Sequence, residues 1–469
     1  MQRIPLRCLP AWQASRMRNE LTQLATFIAE TSFAQLPTPL VERAKWHLLD
    51  TFGAALAGSD SDIWQRCVEL AAAEGGTAVA ALWGSSQQVN ARQAAWLNGV
   101  AAHMYELDDT GGCDHSGAVV VPALLAVLPH CAQPVSGEAL IVAMVIGYEV
   151  GRRVLEACGG YSAHNGAGWH STASCGVFGA AAAAASLLRL KPTQCASALG
   201  IAASFSGGLW GFIHDGSQTK KLHAGRAAEA GVQATLLARK GISGPEAVFS
   251  DRWGSFLNTF APTTQDPAAL VSDLGAVWKL ARCSIKPYAS CRGTHSAIDA
   301  LGIIVEQHQL AASDIRRVIV RLNPFLLEMC GGREIASLAA AQMSLPYALA
   351  ARALYGSPGL DAYAEARRLS PEAQNLMQRI VLEPDVSQSN DEEPLVLVET
   401  EQGERWQQHV PVPSGAPGNP LSDAALFAKF YQLARRVLPD AQVQALQSQM
   451  LELEHCDDIS RLAQLLRRG

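Results

Sequence analysis

The sequence predicts a mainly helical protein in which a large all-helical domain is joined to a smaller α+β domain. Across residues 20–275, apolar side chains recur every three to four positions, which is the period of an amphipathic helix. Near residue 317 the pattern changes to short runs of β-branched residues, which are typical of strands. The chain has 469 residues, 49% of them hydrophobic, so it is longer than one typical domain and rich enough in apolar side chains for more than one core.

Helices are expected in order along the first part of the chain. They are predicted at residues 21–28, 41–57, 67–73, 91–104, 118–128, 140–158, 173–188, 195–205 and 224–240. Pro122 lies within the first turn of its helix, where its missing donor costs little. Gly241 ends the last helix of the series, and Ser171 or Thr172 is suited to cap the alanine-rich helix from residue 173.

The second part of the chain mixes strands and helices. A strand is predicted at residues 317–322, and residues 395–399 and 406–412 flank a hairpin signal at 400–404. Further helices are expected at 340–355 and from 422 to the end. The proline-rich and glycine-rich stretch 411–420 marks the exit from this part.

We therefore expect four segments along the chain. Residues 1–16 are predicted to be an extension outside the fold, because they are basic and contain two prolines. Residues 17–278 form the helical domain and residues 279–413 the α+β domain. Residues 414–469 are predicted to be helices that return to the helical domain.

Composition excludes several classes of protein. The net charge of −6 and the lack of a basic stripe argue against nucleic-acid binding. No apolar run is convincing as a membrane span of roughly 18 residues. The eleven cysteines are scattered without a Cys-x-x-Cys pair, which argues against a zinc or iron–sulfur site and is typical of reduced thiols in a cytoplasmic protein.

The strongest candidate site is the loop at residues 105–117. It places Glu106, Asp108, Asp109, Asp114 and His115 between two strongly apolar predicted helices. Polar groups next to a helical core are costly unless they are paired or hydrogen-bonded. The loop is therefore predicted to be a functional site rather than a surface connection.

Three further segments place a histidine or lysine where a helix is expected to begin. They contain His170 in 166–172, Lys220 and His223 in 218–223, and Lys286 in 285–295. Helix N-termini attract anions, and lysine adds to that attraction, so a substrate with a carboxylate or phosphate group is expected. Any one of these residues is more often structural, and only the convergence of four segments indicates a site.

The same segments resemble the MmgE/PrpD family, which includes 2-methylcitrate dehydratase, cis-aconitate decarboxylase and iminodisuccinate epimerase. The resemblance covers nearly the whole chain after about Met17. It rests on His-Leu-Leu-Asp-Thr at 47–51, Leu-Asp-Asp-Thr at 107–110, His170, Gln-Thr-Lys at 218–220 with His223 and Gly225, Ile-Lys-Pro-Tyr at 285–288 with Cys291 and His295, and Ala-Gln-Met-Ser-Leu-Pro-Tyr-Ala at 341–348.

The resemblance implies a helical domain with an α+β lid, a homodimer, and an active site in the cleft between the domains. It implies no metal and no organic cofactor, and a small di- or tricarboxylate as the substrate. Carried over by position, the catalytic residues are Thr110, His115, His170, Lys220, Lys286 and Tyr347. The residues expected to bind or orient the substrate are Glu106, Asp108, Asp109, His223 and Cys291.

Three positions depart from the family pattern. Glu106 stands where the decarboxylase and dehydratase members carry an aspartate. No proline separates His115 from Ser116, which predicts that Asp114 sits beside the imidazole. Cys291 occupies a position that holds histidine in the decarboxylase.

These residues suggest a hypothesis for the chemistry. Lys220 and Lys286 bind carboxylates and stabilise charge that builds next to a carboxylate, while His170 and His115 act as the acid–base pair. Thr110 binds a carboxylate or a leaving hydroxyl, and Asp108 and Asp109 orient histidine or lysine.

The predicted function is thus a lyase of the dehydratase or decarboxylase type. An epimerase of the iminodisuccinate type and a non-catalytic carboxylate-binding protein remain alternatives. A metal hydrolase is disfavoured because the spacing of the histidines and aspartates fits no helical ligand pair. A thiol enzyme built on Cys113 or Cys291 is disfavoured to a similar degree.

Overall fold

The structure, a computed structural model, describes residues 19–468, so the predicted extension at residues 1–16 lies outside it. The prediction of a mainly helical chain with a small α+β part is confirmed. The helices of the first part are α1 (Glu20–Glu30), α2 (Thr38–Gly58), α3 (Asp62–Glu74), α4 (Ala91–His103), α5 (Ser116–Ala126), α6 (Gly137–Ala157), α7 (Gly160–Gly166), α8 (Ser171–Ser174), α9 (Gly176–Leu187), α10 (Pro192–Ala203), α11 (Thr219–Arg239) and α12 (Phe256–Phe260).

The second part contains the remaining helices and four of the six strands that the structure describes. Its helices are α13 (His295–Gln307), α14 (Pro324–Cys330), α15 (Leu338–Gln342), α16 (Leu345–Tyr355), α17 (Glu365–Arg368), α18 (Pro371–Gln378), α19 (Asp423–Ala434), α20 (Asp440–Leu451) and α21 (Ser460–Leu465). The strands of the chain are β1 (Ala80–Ala81), β2 (Gln88–Val89), β3 (Ile315–Leu322), β4 (Ile380–Pro384), β5 (Leu395–Thr400) and β6 (Arg405–His409).

Several predicted helix boundaries are wrong. The alanine-rich helix α9 begins at Gly176 after a break at Cys175, so neither Ser171 nor Thr172 caps it. Helix α11 begins at Thr219 rather than residue 224, which puts Lys220 inside its first turn. The helix predicted at 340–355 is two helices, because a serine cap at Ser344 starts the second one.

The main sheet has four strands in the order β4-β3-β5-β6. Strands β5 and β6 pair antiparallel around the predicted hairpin, with Val398 opposite Trp406, so that prediction is confirmed. Strand β4 pairs in parallel with β3 and was not predicted. We did not predict β4 because its apolar run is too short for periodicity to distinguish a strand from a helix.

Two hydrophobic cores lie within the described residues. The first is formed by the helices before residue 284 and also takes in Phe430, Leu446 and Leu462 from the C-terminal helices. The second surrounds the four-stranded sheet and helices α13, α15 and α16. The C-terminal helices thus pack against the first part of the chain.

Helices α4 and α11 touch through their backbones. A Cβ atom added at Gly99 of α4 would lie 2.6 Å from the Cα of Gly225 in α11. One added at Gly225 would lie 2.2 Å from the carbonyl oxygen of Trp96. This close approach brings the loop that follows α4 next to the first turn of α11, which carries Lys220.

Replacing Gly99 by alanine is expected to destabilise the protein by roughly 1–3 kcal/mol, because the new methyl group would overlap the backbone of α11. The measurement is the free energy of unfolding in denaturant. The control is Gly166→Ala, since Gly166 is also helical but has open space around its Cβ position. Equal stability of the two variants would contradict this account of the α4–α11 contact.

Candidate active site

A cavity of about 600 Å³ lies where the two parts of the chain meet. From the first part it is lined by Glu106, Thr110, Gly111, Gly112, Asp114, His115, Arg152, Gly159, Gly160, Tyr161, Ser162, Trp210, Lys220 and Arg282. From the second part it is lined by Ser284, Cys291, Arg292, Gly293, Asn323, Phe325, Leu326, Met329, Asn390, Asp391, Glu392 and Glu393.

The loop between α4 and α5 supplies the polar wall of the cavity. It is tied to the second part of the chain by paired backbone hydrogen bonds between Thr110 and Ser284. Glu106 and Asp114 have positive φ angles of 55° and 115°, which are costly for residues other than glycine. Such backbone strain is concentrated at functional sites, and here it directs two carboxylates toward neighbouring cations and imidazoles.

The lysine cluster consists of Glu106, Lys220, Lys221 and Lys286, all buried. Glu106 Oε1 lies 2.8 Å from Nζ of Lys220 and 3.0 Å from Nζ of Lys221, while Oε2 lies 3.4 Å from Nζ of Lys286. Lys221 also donates a hydrogen bond of 2.8 Å to Oε1 of Gln342. Three cations therefore surround one carboxylate, and the cluster keeps excess positive charge at the cavity wall.

Burial and charge oppose each other within the lysine cluster. Burial raises the pKa of Glu106, but the three lysines together hold it well below its ordinary value. Burial lowers the pKa of Lys220, but Glu106 raises it above the ordinary value. For Lys221 burial prevails and lowers the pKa to about 8. Lys220 lines the cavity and stays charged, which suits the binding of a substrate carboxylate.

Asp108 holds two imidazoles by their Nδ1 atoms. Its carboxylate lies 3.0 Å from Nδ1 of His103 and 3.0 Å from Nδ1 of His115, and His115 Nδ1 also lies 3.0 Å from the carbonyl oxygen of Asp109. These oxygens only accept hydrogen bonds, so His115 carries its proton on Nδ1 and, in the neutral ring, the lone pair on Nε2. Burial opposes protonation, but Asp114 and Asp108 raise the pKa of His115.

His170 lies behind the cavity wall. Its Nδ1 is 2.8 Å from Nδ1 of His223, and its ring packs edge-on against Trp210. Its Nε2 is 3.9 Å from Oδ2 of Asp114 and has no hydrogen-bond partner among residues 19–468. Burial, assisted by His223 and Lys220, holds the pKa of His170 well below its ordinary value, so the ring is neutral. Burial also lowers the pKa of His223 to about 4.

Asp114 connects Thr110 to His115. The hydroxyl of Thr110 donates a hydrogen bond of 2.9 Å to Oδ1 of Asp114, whose Oδ2 lies 3.5 Å from Nε2 of His115. The prediction that Asp114 sits beside the imidazole is confirmed.

The carboxylate of Asp109 contacts different partners from the carboxylate of Asp108. Its Oδ2 lies 2.7 Å from Nδ1 of His47 and accepts a hydrogen bond from Tyr148, while its Oδ1 accepts a 2.8 Å bond from the backbone of Gly117. All three contacts are buried, and Asp109 does not line the cavity. Its carboxylate therefore holds α2, α5 and α6 together beneath the loop.

Of the three candidates from the second part, Lys286 belongs to the lysine cluster, and Cys291 and Tyr347 lie in different surroundings. Cys291 lines the cavity, and a hydrogen bond from Cys330 followed by the charge of Lys220 lowers its pKa to about 6. Tyr347 does not line the cavity. It is buried in the second core, where its hydroxyl donates to the carbonyl of Ala362 and its ring packs against Tyr363.

Around Glu106 and Asp108, sequence analysis missed the polar residues His103, Lys221 and Gln342. It also did not single out Arg152, Arg282 and Arg292, which line the cavity. His103 is the last residue of an apolar helix, and Lys221 is next to Lys220 in a segment expected to precede its helix. Lys221 could have been predicted from the correct start of helix α11. Extending α11 back to Thr219 places both lysines on its buried first turn.

Two family profiles together match most of the chain. The MmgE/PrpD N-terminal domain profile matches residues 22–267, and the MmgE/PrpD C-terminal domain profile matches residues 288–454. The chain belongs to the MmgE/PrpD family. The residues matched by the two profiles meet at the cavity.

Relatives within the MmgE/PrpD family cover nearly the whole chain. The cis-aconitate decarboxylase-like protein oryM of Aspergillus oryzae is 30% identical over 96% of this chain and 97% of its own length. The cis-aconitate decarboxylase of Aspergillus terreus is 28% identical over 92% of each chain. The human cis-aconitate decarboxylase is 27% identical over 94% of this chain and 93% of its own.

Within residues 19–468, no helix combines the length and the apolar character that crossing a membrane requires.

Proposed function

We propose that this protein is a lyase that decarboxylates cis-aconitate or a closely similar tricarboxylate in the cavity between its two parts. The observation that carries the proposal is that Lys220 and His115 line one cavity. The rest of the lysine cluster lies behind Lys220, and His170 lies behind the wall beside Asp114. Relatives named as cis-aconitate decarboxylases support the choice of reaction and substrate.

Carboxylate recognition is assigned to the cations of the cavity. Lys220 faces the cavity from the lysine cluster, and Lys286 lies directly behind it with a side chain that is fully buried. Arg152, Arg282 and Arg292 line the same cavity. A tricarboxylate therefore meets several cations, and those nearest the reacting carbon stabilise the charge that develops there.

The reaction needs one carbon–carbon bond to break and one carbon–proton bond to form. The departing carboxylate leaves as CO₂, and its bonding electron pair is delocalised toward a neighbouring carboxylate held by the lysines. An imidazolium then delivers a proton to carbon, and the imidazole recovers a proton from solvent. His115 suits the donor role because its pKa is raised by Asp114 and Asp108 against the effect of burial.

His170 complements His115 as the second proton-transfer group. The ring of His170 is neutral. Its Nε2 has no hydrogen-bond partner among residues 19–468 and lies 3.9 Å from Oδ2 of Asp114, the oxygen that is also near Nε2 of His115. Two imidazoles whose surroundings shift their pKa values in opposite directions form the pairing expected of an acid and a base.

The test is incubation of the purified protein with cis-aconitate in D₂O, followed by proton NMR. We expect loss of cis-aconitate with release of CO₂ and a product that carries deuterium at the newly protonated carbon. Parallel samples with 2-methylcitrate and iminodisuccinate provide the comparison. Loss of water from the first or α-deuteration of the second, with cis-aconitate unchanged, would contradict decarboxylation.

Replacing Asp108 by asparagine is expected to lower kcat by roughly 10²-fold, within the range that general acid–base catalysis contributes. The amide would hold the Nδ1 atoms of His103 and His115 less firmly and would remove a charge that favours protonated His115. Steady-state kinetics measure the effect. Asp109→Asn is the matched control, and it should affect the free energy of unfolding more than kcat, because Asp109 contacts no cavity residue through its side chain.

Three further properties are proposed from the family resemblance. The protein is expected to work without a metal or organic cofactor, to form a homodimer and to act in the cytoplasm. Light scattering on the purified protein measures the oligomeric state, and a monomeric mass with full activity would contradict the homodimer.

A further inference from the structure

Beside the cavity, one carboxylate oxygen and two imidazole nitrogens converge. They are Oδ2 of Asp114, Nε2 of His115 and Nε2 of His170, which all lie within 4.8 Å of one another. Asp114 Oδ2 is 3.5 Å from the His115 atom and 3.9 Å from the His170 atom.

The partners of the His115 ring fix the position of its proton, whereas the contact between His170 and His223 allows two tautomers. His115 donates through Nδ1 to oxygens of Asp108 and Asp109, so Nε2 of its neutral ring has a lone pair. His170 Nε2 is fully buried and has no hydrogen-bond partner among residues 19–468, while its Nδ1 is engaged with His223. When His170 donates through Nδ1 to His223, its Nε2 also presents a lone pair, and the three atoms can then bind one cation.

The geometry fits a metal ion of the zinc type. Bonds of about 2.1 Å to nitrogen and oxygen in a tetrahedral arrangement place neighbouring ligand atoms about 3.4 Å apart. The separations from Asp114 are close to that value. Each histidine is also held through Nδ1 by an outer partner, as metal-binding histidines usually are.

We propose that Asp114, His115 and His170 form a binding site for one divalent transition-metal ion, such as Zn²⁺, which inhibits the enzyme reversibly. Two histidines and one carboxylate leave coordination positions free, and the ion enters from the side on which Asp114 and His115 line the cavity. The ion takes up the two Nε2 lone pairs, so neither imidazole can transfer a proton while it is bound. The inhibitory effect rests on the proposed function, whereas the binding does not.

The three ligands do not form a sequence motif of the kind in which two ligands lie one turn apart on a helix. Asp114 and His115 are adjacent, but His170 comes from a different segment of the chain. The second candidate group, His103, Asp108 and His115, is less suited, because both Nδ1 atoms already donate to Asp108.

Binding is tested by titrating the purified, untagged protein with Zn²⁺ in a calorimeter and with Co²⁺ by visible absorption. We expect one ion per chain, no binding of Mg²⁺, and a Co²⁺ spectrum without a sulfur charge-transfer band. Asp114→Asn and His170→Gln should each weaken binding at least tenfold. Cys291→Ser, at the thiol nearest the cavity, should leave it unchanged. Thermal unfolding without metal confirms that each variant is folded.

The opposite outcomes overturn the proposal. They are no Zn²⁺ binding by the parent protein, undiminished binding by folded Asp114→Asn and His170→Gln, or loss of binding in Cys291→Ser. Activity toward cis-aconitate is measured separately, and Zn²⁺ should abolish it until a chelator is added. Binding by a protein inactive on all tested substrates would refute the proposed function alone, whereas an active protein unaffected by bound Zn²⁺ would refute the inhibitory role.

Discussion

Replacing His170 by glutamine is expected to lower kcat by roughly 10²–10⁴-fold while leaving the fold intact. Glutamine keeps a polar atom for the contact with His223 but cannot exchange a proton near neutral pH. The Michaelis constant should change little, because the carboxylates of the substrate are assigned to the lysines and arginines rather than to His170. The measurement is steady-state turnover of cis-aconitate, alongside circular dichroism of the variant.

The matched control for this experiment is His130→Gln. His130 is partly exposed in the short 3₁₀ turn Leu128–His130 that follows α5, and it does not line the cavity, so its replacement should leave kcat unchanged. Near-normal turnover in folded His170→Gln would exclude His170 from proton transfer and leave that role to His115, which lines the cavity.

Replacing Glu106 by glutamine is expected to destabilise the protein by roughly 3–5 kcal/mol, the usual cost of removing one partner from a buried ion pair. Nζ atoms of Lys220, Lys221 and Lys286 lie within 3.4 Å of its carboxylate, and the side chains are almost fully buried. Without the carboxylate, the three buried ammonium groups repel one another and have no negative charge beside them. The measurement is the free energy of unfolding in denaturant at about pH 7.

Two comparisons sharpen the prediction for Glu106. Glu106→Asp retains the charge and should recover most of the lost stability. The deficit of Glu106→Gln should also shrink toward about pH 9. Burial lowers the pKa of Lys221 to about 8 even with Glu106 present, so without that carboxylate the buried amine loses its proton more readily and then adds no repulsion. A Glu106→Gln variant as stable as the parent would show that the lysine cluster does not depend on this carboxylate.

Local patterns were sufficient to predict most of the fold. Apolar periodicity located helices such as α2, α6 and α10 to within a few residues, and the hairpin between β5 and β6 followed from its turn residues. The failures occur where a cap or a tertiary contact competes with periodicity. Ser344 starts a new helix inside a continuous apolar pattern, and α11 extends five residues beyond its apolar face because the polar side chains of its first turns are buried in the site.

For the candidate site, the sequence alone determined which loop carries the polar groups and which lysines and histidines accompany it. Only the tertiary structure decided how those groups pair. Glu106 meets Lys221 and Lys286 from positions 115 and 180 residues away, and the adjacent carboxylates of Asp108 and Asp109 serve unrelated partners. Periodicity describes the direction of side chains within one element, whereas the pairing of buried charges depends on which elements the folded chain brings into contact.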